Sequence, residues 1–212
     1  EGNYHFTTTD IRNEAAVKQL FKEVQPDVVI NSSALSVPDY CETHHEEAWL
    51  TNVTAVEQLA HLCESYKSRF IHLSTDFVFD GKIDEKSGQL YTEESLPAPV
   101  NYYGFTKWKG EEKVAEICSN YAIARVEIVY GKALPGQHGN IVQLVMNRLN
   151  AGQEIRVVSD QWRTPTYVGD VSAGVQHLME NAANGIFHIC GDECLTIAEI
   201  AFQVADYMKL NR

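Results

Sequence analysis

The chain has 212 residues, a formal net charge of −12 and a hydrophobic fraction of 44%. This composition supports a sizeable core and excludes a disordered chain, and the length predicts one domain or one domain with a small appendage. The acidic balance argues against nucleic acid and against an anionic membrane surface as partners, because no basic stripe is available to neutralise phosphates. No apolar run approaches the roughly 20 residues that span a bilayer.

The first half of the chain alternates strand-like and helix-like segments. Residues 4–8 are typical of the tail of a strand, and apolar side chains at helical spacing predict a helix from about Asn13. Residues 27–31 predict a strand buried on both faces, which is followed by small residues and a loop to about Thr43. A second helix with one apolar stripe and a strand at residues 70–74 come next.

The second half continues with less regular spacing. A long loop leads to a helix that carries Tyr103 and Lys107 and runs to roughly Asn120. The later predicted elements are a strand at 122–126, a glycine-rich loop at 136–139, a helix at 141–150, a strand at 155–158, a polar turn at 160–166, a helix at 170–181, a strand at 185–189 and a last helix from Thr196, with Glu199 at capping-box spacing.

This alternation predicts an α/β fold with a Rossmann-like, doubly wound parallel sheet. In such sheets ligands bind beyond the carboxyl ends of the strands. Asp10, residues 31–34 and residues 74–76 lie at predicted strand ends, and Lys107 lies on the helix that follows. We therefore expect these segments to converge on one crevice.

Tyr103 and Lys107 are four residues apart, so on a helix they lie on one face, one turn apart. The positive charge of the lysine favours the phenolate, and it is expected to lower the pKa of the tyrosine from its reference value of about 10. Such a tyrosine can donate a proton to a carbonyl oxygen, while the hydroxyl of Thr75 holds the same oxygen. Alone, this spacing is a weak signal, because an aromatic and a charge on an ordinary helix produce it too.

The cysteines and histidines do not form a recognisable site. The five cysteines match neither a disulfide framework nor a zinc site, so buried, reduced thiols and a cytoplasmic location are predicted. His44 and His45, beside two glutamates, resemble a metal cluster, but adjacent histidines at a helix start point apart. No metal site is predicted.

One set of motifs runs through nearly the whole chain. It comprises Asn31-Ser-Ser-Ala34, Ser74-Thr-Asp-Phe-Val-Phe-Asp-Gly81, Tyr103-Gly-Phe-Thr-Lys107, Gly139-Asn140, and Asp160-Gln161 with Pro165-Thr166. In this order the motifs resemble those of the dTDP-4-dehydrorhamnose reductase family, within the extended short-chain dehydrogenase/reductase superfamily. The run from Ser74 to Gly81 is specific to this branch, whereas Tyr-x-x-x-Lys is shared by the superfamily.

The resemblance implies NADPH- or NADH-dependent reduction of the C4 keto group of a nucleotide-linked sugar, above all dTDP-4-dehydro-L-rhamnose. It implies that Tyr103 donates the proton, that Lys107 lowers the pKa of that tyrosine and binds the nicotinamide ribose, and that Thr75 hydrogen-bonds the reacting oxygen. The implied cofactor-binding residues are Asp10, Ile11, Asn31, Ser32, Ser33, Ala34, Leu35, Ser36, Asn52, Tyr103 and Lys107. The implied substrate-binding residues are Thr75, Asp76, Asn140 and Arg163.

Several of these assignments have a structural alternative. The small residues Ser32–Ala34 suit a close approach to a cofactor, but they also suit close packing after a buried strand. Asn52 either supports the lysine through water or is a polar residue interrupting an apolar helix face. Arg163 either pairs with a substrate phosphate or forms a structural salt bridge.

The chain departs from the family pattern in three ways. The glycine-rich phosphate-binding motif of the first βα unit is absent, so about 30 residues are expected to precede Glu1. The family also continues beyond Arg212. Ile128 stands where the family often has a tryptophan near the sugar. We expect residues 1–130 to form the NAD(P)-binding core, and residues 131–212 to combine core strands with a small substrate-binding region.

Three rival functions follow from the same resemblance. A sugar-nucleotide dehydratase needs an Asp-Glu pair after the threonine, and here Phe77 stands in the glutamate position. A non-catalytic NADP-binding regulatory subunit, like the methionine adenosyltransferase beta subunit, or a reductase or epimerase of another nucleotide sugar are the remaining alternatives. The residues leave open the choice between NADH and NADPH, a requirement for Mg²⁺, and the oligomeric state, with a homodimer among the alternatives.

Overall fold

The computed structural model describes residues 4–82, 90–132 and 139–209. Its helices are α1 (Glu14–Val24), α2 (Pro38–Cys41), α3 (His45–Trp49), α4 (Ala55–Tyr66), α5 (Tyr102–Ile117), α6 (Ile141–Asn150), α7 (Val168–Glu180) and α8 (Ile197–Met208). Its strands are β1 (Val28–Asn31), β2 (Arg69–Thr75), β3 (Tyr121–Val126), β4 (Val129–Tyr130), β5 (Trp162–Arg163), β6 (Thr166–Tyr167), β7 (Gly185–Ile189) and β8 (Leu195–Thr196). A π-helical turn (Leu50–Thr54) and a 3₁₀ turn (Asp76–Val78) complete the elements.

The central sheet has four strands in the order β1-β2-β3-β7. Strands β1 and β2 run parallel, and their register pairs Val28 with Arg69 and Asn31 with His72. Parallel neighbours joined by helical connections are the arrangement that short apolar strands alternating with amphipathic helices predict. The predicted α/β, Rossmann-like class is therefore confirmed.

The chain divides into two compact units. The first consists of Glu1–Ala124 with Leu178–Phe187, and its core packs apolar side chains of α1, α4 and α5 against β2 and β3. The second consists of Arg125–His177 with His188–Arg212, and it contains the parallel pair β4-β6, the antiparallel pair β5-β8 and the packed helices α6 and α8.

Helices α1 and α8 begin with side-chain caps, and the cap of α8 is the one that the sequence predicts. The side chain of Asn13 accepts a hydrogen bond from the amide of Ala16 at 3.1 Å, and α1 begins at the next residue. Thr196 and Glu199 form a complete capping box at the start of α8, as their spacing predicts. Each cap satisfies backbone N–H groups that the first helical turn leaves without partners.

Four predicted elements are wrong or incomplete. Residues 4–8 form no strand, and the side chains of Tyr4 and Phe6 are 85% and 97% exposed. Residues 155–158 also form no strand, because β-type residues alone do not make one without a pairing neighbour. The loop predicted to reach Thr43 contains α2, and the second predicted helix is interrupted by the π-helical turn.

The cysteines are free thiols, as predicted, but they are not all buried. Cys41, Cys63 and Cys118 lie in the interior, whereas Cys190 is exposed and Cys194 half-buried. Within the described ranges, every helix is too short or too polar to cross a membrane.

One buried arginine joins the return segment of the first unit to β2. The guanidinium of Arg69 donates to the carbonyl oxygens of Leu178 (2.9 Å) and Ala183 (2.7 Å) and to the side chain of Asn120 (2.5 Å). These hydrogen bonds give the buried guanidinium acceptors in place of the water that it loses on folding.

We expect Arg69→Met to lower the free energy of unfolding by roughly 2 to 4 kcal/mol, because buried carbonyl groups lose charged donors. Arg156→Met removes an arginine that is exposed, and it should change stability by no more than about 0.5 kcal/mol. Urea denaturation of both variants measures the difference, and equal stabilities would contradict the role of Arg69.

Candidate active site

The end of β2 brings a short polar segment to the start of α5. The hydroxyl of Thr75, which is buried, donates to the carboxylate of Asp76 at 3.0 Å and accepts from the amide of Phe77 at 3.3 Å. Its proximity lowers the pKa of Tyr103. Thr75 therefore lies close to Tyr103 in the first unit, and the role of its hydroxyl in holding the reacting oxygen stays a prediction.

Tyr103 is buried, with 9% of its surface exposed. Its ring packs with Cys41 and Ala48 and lies edge-on to Phe77, with ring centroids 5.6 Å apart. Burial raises the pKa of Tyr103 to about 12, against the smaller lowering from Thr75. The expectation of a lowered pKa is therefore wrong here, because loss of solvation around the phenolate outweighs the favourable contact.

Lys107 is also buried, with 2% of its surface exposed. Its Nζ donates to the carbonyl oxygen of Leu73 at 2.7 Å and lies 3.1 Å from Nε2 of His72. Burial lowers the pKa of Lys107 to about 8, and the nearby Glu111 opposes this shift. The lysine is therefore an amine that can exchange its charge near neutral pH.

His72 is a site residue that the sequence analysis missed. The ring is fully buried, and burial together with the charge of Lys107 lowers the pKa of His72 well below its usual value. Its Nδ1 lies 3.1 Å from the side-chain nitrogen of Asn31. The available signal was a histidine among apolar residues in a strand with both faces buried, three positions before Thr75.

The loop after β1 is shaped by two asparagines. Asn31 is buried, and its side-chain oxygen accepts from the amide of Ser33 at 3.1 Å. Asn52, in the π-helical turn, accepts from the amide of Leu35 at 2.8 Å and donates to the Leu35 carbonyl oxygen at 3.0 Å. It donates also to the hydroxyl of Thr106 at 3.0 Å. Asn52 thereby ties this loop to α5.

The predicted cofactor-binding residues are not all alike in their surroundings. Ser32, Ser33 and Ser36 are exposed on the loop, whereas Ala34 and Leu35 are half-buried. Asp10 and Ile11 precede α1, and the carboxylate of Asp10 binds Arg12 at 2.8 Å. Arg12 also bridges to Glu47 on α3 at 3.2 Å. The contact of Asp10 and Ile11 with an adenine stays a prediction.

Asn140 and Arg163, which were predicted to bind substrate, belong to the second unit. The side chain of Asn140 caps α6 by accepting from the amide of Gln143 at 3.0 Å, and it donates to the carbonyl oxygen of Gly131 at 2.7 Å. Arg163 forms a salt bridge with Glu127 at 3.7 Å, which is the structural alternative left open above. Their part in substrate binding stays a prediction.

The second unit also contains the position where the family often has a tryptophan. Ile128 adopts a positive φ of 30°, a strained conformation for a β-branched residue. The glycine-rich loop predicted at 136–139 lies outside the described residues except for Gly139.

The residues at the end of β2 fit a bound nicotinamide cofactor. Ser74 is buried, and its hydroxyl has no hydrogen-bond partner among the described residues. A buried hydroxyl of this kind costs free energy unless a ligand satisfies it. In the ranges 4–82, 90–132 and 139–209, no group of three or more His, Cys, Asp or Glu side chains is arranged to hold a metal ion.

Comparison with known proteins places this geometry in context. A family model described as the RmlD substrate binding domain matches residues 3–212. A probable low-salt glycan biosynthesis reductase, Agl14 of Haloferax volcanii, is 33% identical over 200 residues, which cover 93% of the chain and 65% of that protein. The methionine adenosyltransferase 2 subunit beta of Xenopus laevis is 33% identical over 97% of the chain and 61% of its own length.

Reductases of the branch indicated by the motifs are also similar. The dTDP-4-dehydrorhamnose reductase of Aggregatibacter actinomycetemcomitans is 31% identical over 95% of the chain and 68% of its own length. A crystal structure of dTDP-4-dehydrorhamnose reductase from Bacillus anthracis in complex with NADP superposes with a TM-score of 0.88 at 29% identity, covering 96% of the chain and 70% of that structure. The chain spans only 61% to 65% of the first curated relatives it matches.

The glycine after Tyr103 tests how tightly α5 is placed. A Cβ on Gly104 would lie far inside van der Waals contact with the carbonyl oxygen of Phe77. In a free helix, alanine is more stable than glycine by about 1 kcal/mol. We expect Gly104→Ala to do the reverse and to lower the free energy of unfolding by about 1 to 3 kcal/mol, because a backbone oxygen must move.

The matched control for this change is Gly139→Ala, where the new Cβ meets only the flexible side chain of Gln143 at 3.2 Å. Its effect should stay within about 0.5 kcal/mol. Urea denaturation of both variants provides the comparison. A Gly104→Ala protein as stable as the parent would mean that α5 does not approach the 3₁₀ turn this closely.

Proposed function

Because the chain belongs to the RmlD substrate binding domain family, we propose that the protein reduces the C4 keto group of a nucleotide-linked sugar with NADPH or NADH. The substrate with most support is dTDP-4-dehydro-L-rhamnose, which would be converted to dTDP-L-rhamnose. The motifs of the end of β2 and of α5 support this choice, together with similarity to proteins named dTDP-4-dehydrorhamnose reductase.

The observation that carries the proposal is the buried group formed by Thr75, Tyr103 and Lys107. The two α5 side chains are one helical turn apart, and the hydroxyl of Thr75 lies near enough to the phenol to lower its pKa. All three are at least nine-tenths buried. A buried phenol that keeps its proton, on a helix that carries a buried lysine one turn later, is suited to proton exchange with a carbonyl oxygen.

Tyr103, Thr75 and Lys107 each have a separate role in the proposed reduction. When bound, the nicotinamide cofactor supplies hydride to the C4 carbon. Because burial raises the pKa of Tyr103 to about 12, its phenol carries a proton at neutral pH and can donate it to the C4 oxygen. Thr75 orients the phenol and can hold the same oxygen, and the ammonium form of Lys107 stabilises the phenolate that remains.

The loop after β1 and the end of β2 would hold the cofactor. Exposed serines and the half-buried Ala34 present small side chains, so backbone groups of residues 32–36 are accessible to a dinucleotide. Lys107 would bind the nicotinamide ribose, and the free hydroxyl of Ser74 would gain a partner. Asn52 supports this arrangement indirectly, since it holds the Leu35 backbone in place.

The surroundings of Phe77 disfavour dehydration. That reaction needs a carboxylate at this position to remove a proton from the sugar carbon. Instead the Phe77 ring packs edge-on against Tyr103, and the preceding Asp76 accepts a hydrogen bond from Thr75. An apolar ring here supports simple reduction, because it supplies no base.

A second candidate function is a non-catalytic, NADP-binding regulatory subunit. The observation that favours it is the 33% identity to methionine adenosyltransferase 2 subunit beta, which matches the identity to the reductase from Haloferax volcanii. A reductase or epimerase of another nucleotide sugar is the related enzymatic alternative. Turnover by the full-length protein separates these candidates.

We expect Tyr103→Phe to lower kcat/KM for dTDP-4-dehydro-L-rhamnose by about 100-fold to 10,000-fold, because the variant lacks the proton donor. The measurement follows NADPH or NADH oxidation by absorbance in the full-length protein. The control is Tyr102→Phe, whose ring stacks on His45 with centroids 3.8 Å apart and should keep that contact.

The outcomes separate the candidate functions. Loss of turnover in Tyr103→Phe but not in Tyr102→Phe supports the reductase. Cofactor binding without turnover of any nucleotide keto sugar supports the regulatory subunit instead. Full activity in Tyr103→Phe would show that another group donates the proton.

A further inference from the structure

Three buried polar side chains, Asn31 on β1, His72 on β2 and Lys107 on α5, contact one another in succession. The register of the sheet sets Asn31 directly beside His72 on the neighbouring strand. The side-chain nitrogen of Asn31 lies 3.1 Å from Nδ1 of His72, and Nε2 of the same ring lies 3.1 Å from Nζ of Lys107. All three side chains are buried, so these contacts are shielded from water.

We propose that His72 is a positioning residue for Lys107: Asn31 holds its ring in the tautomer that presents an N–H to the lysine nitrogen, and this disfavours the ammonium form. The proposal deepens the function proposed above. It rests on that function for its catalytic consequence, but the tautomer of the ring can be measured without it.

The direction of the amide of Asn31 is determined by the backbone. The amide N–H of Ser33 can only donate, and it points at the side-chain oxygen of Asn31 at 3.1 Å. The other end of the same side chain, which faces His72, is therefore the NH₂ group. Because NH₂ is a donor, Nδ1 of His72 must be the acceptor.

The state of the imidazole follows from this contact. A ring whose Nδ1 accepts a hydrogen bond carries its proton on Nε2 when it is neutral. Burial keeps the pKa of His72 well below its usual value, so the neutral form predominates at neutral pH. The N–H on Nε2 then points at Nζ of Lys107, 3.1 Å away.

A neutral lysine fits this arrangement better than an ammonium. The neutral amine can accept from His72 with its lone pair while donating one hydrogen to the carbonyl oxygen of Leu73. An ammonium has no lone pair and would face the Nε2 proton with a proton of its own. The contact with His72 therefore favours the neutral amine, as does burial, which lowers the pKa of Lys107 to about 8.

Other titratable groups of the described residues lie on the elements packed around Lys107. On its own helix, the buried Glu111 raises the pKa of Lys107, and Tyr103 lies one turn earlier. Asp76 in the 3₁₀ turn and Cys41 in α2 raise the pKa of Tyr103. The carboxylate of Glu57 on α4 binds Lys113, and that of Glu47 on α3 binds Arg12 and Tyr40. The titratable group on β2 that directly contacts the lysine nitrogen is His72.

The first test is nuclear magnetic resonance of the full-length protein with ¹⁵N-labelled histidine. The signal of His72 is the one absent from His72→Gln. We expect a neutral ring protonated on Nε2 at neutral pH. Asn31→Leu keeps the shape but removes the donor, so we expect its ring to gain the form protonated on Nδ1. A parent ring protonated on Nδ1, a charged ring, or an unchanged tautomer in Asn31→Leu would overturn the proposal.

The second test is the pH dependence of kcat/KM for the keto sugar. Reduction requires the ammonium on Lys107, so activity falls as pH rises through the lysine pKa. If Asn31 disfavours that ammonium through His72, Asn31→Leu moves this alkaline limb to higher pH, by about one unit for a contact worth tenfold. A role limited to holding the loop would lower activity at every pH and leave the limb where it is.

Asn31→Asp provides the complementary variant. Its carboxylate accepts from Nδ1, which forces the opposite tautomer and lets Nε2 accept from the ammonium. We expect the alkaline limb of kcat/KM to move to higher pH in both Asn31→Leu and Asn31→Asp. Movement in Asn31→Asp alone would reflect its added charge and would contradict the proposal. Absence of turnover in the parent would contradict the proposed function, and the resonance measurement would then decide the role of His72.

Discussion

The candidate site depends on burying one amine, the Nζ of Lys107, against the inner face of β2. Taking an ionisable group out of water costs free energy unless polar partners replace the solvent. Here the partners are the carbonyl oxygen of Leu73 and the ring of His72. Two glycines on the same helix allow this approach, because a Cβ on Gly104 or Gly110 would collide with a backbone oxygen of Phe77 or Asn52. The close placement of α5 is thus a backbone property first and a side-chain property second.

The position of α5 also fixes the loop after β1, through hydrogen bonds of Asn52. Asn52 lies in a π-helical turn, and its amide binds the Leu35 backbone on one side and the hydroxyl of Thr106 on the other. That hydroxyl donates to the carbonyl oxygen of Tyr103 at 2.8 Å. The loop, the turn and the helix therefore form one hydrogen-bonded unit around the proposed proton donor. Buried networks in which each member is satisfied hold such geometry rigidly.

Burial also decides which chemical role suits the tyrosine. A phenol with a raised pKa is a poor base at neutral pH and a ready donor once negative charge develops on a nearby oxygen. This agrees with reduction of a ketone and does not require the lysine to ionise the phenol beforehand. Similarity alone does not separate the candidate functions, since a protein named as a probable reductase and one named methionine adenosyltransferase 2 subunit beta are each 33% identical to the chain.

The sequence by itself determined the α/β class, the order of the main strands and helices along the chain, the capping box at Thr196, and the one-turn spacing of Tyr103 and Lys107 on a helix. These follow from local periodicity and short-range spacing, which a single sequence contains. Tertiary structure decided that the pKa of Tyr103 is raised, that His72 contacts the lysine and that Arg163 forms a salt bridge with Glu127. It also decided that residues 4–8 and 155–158 are not strands. Each of these depends on solvent exclusion or on a partner distant in the chain, and no local pattern encodes either.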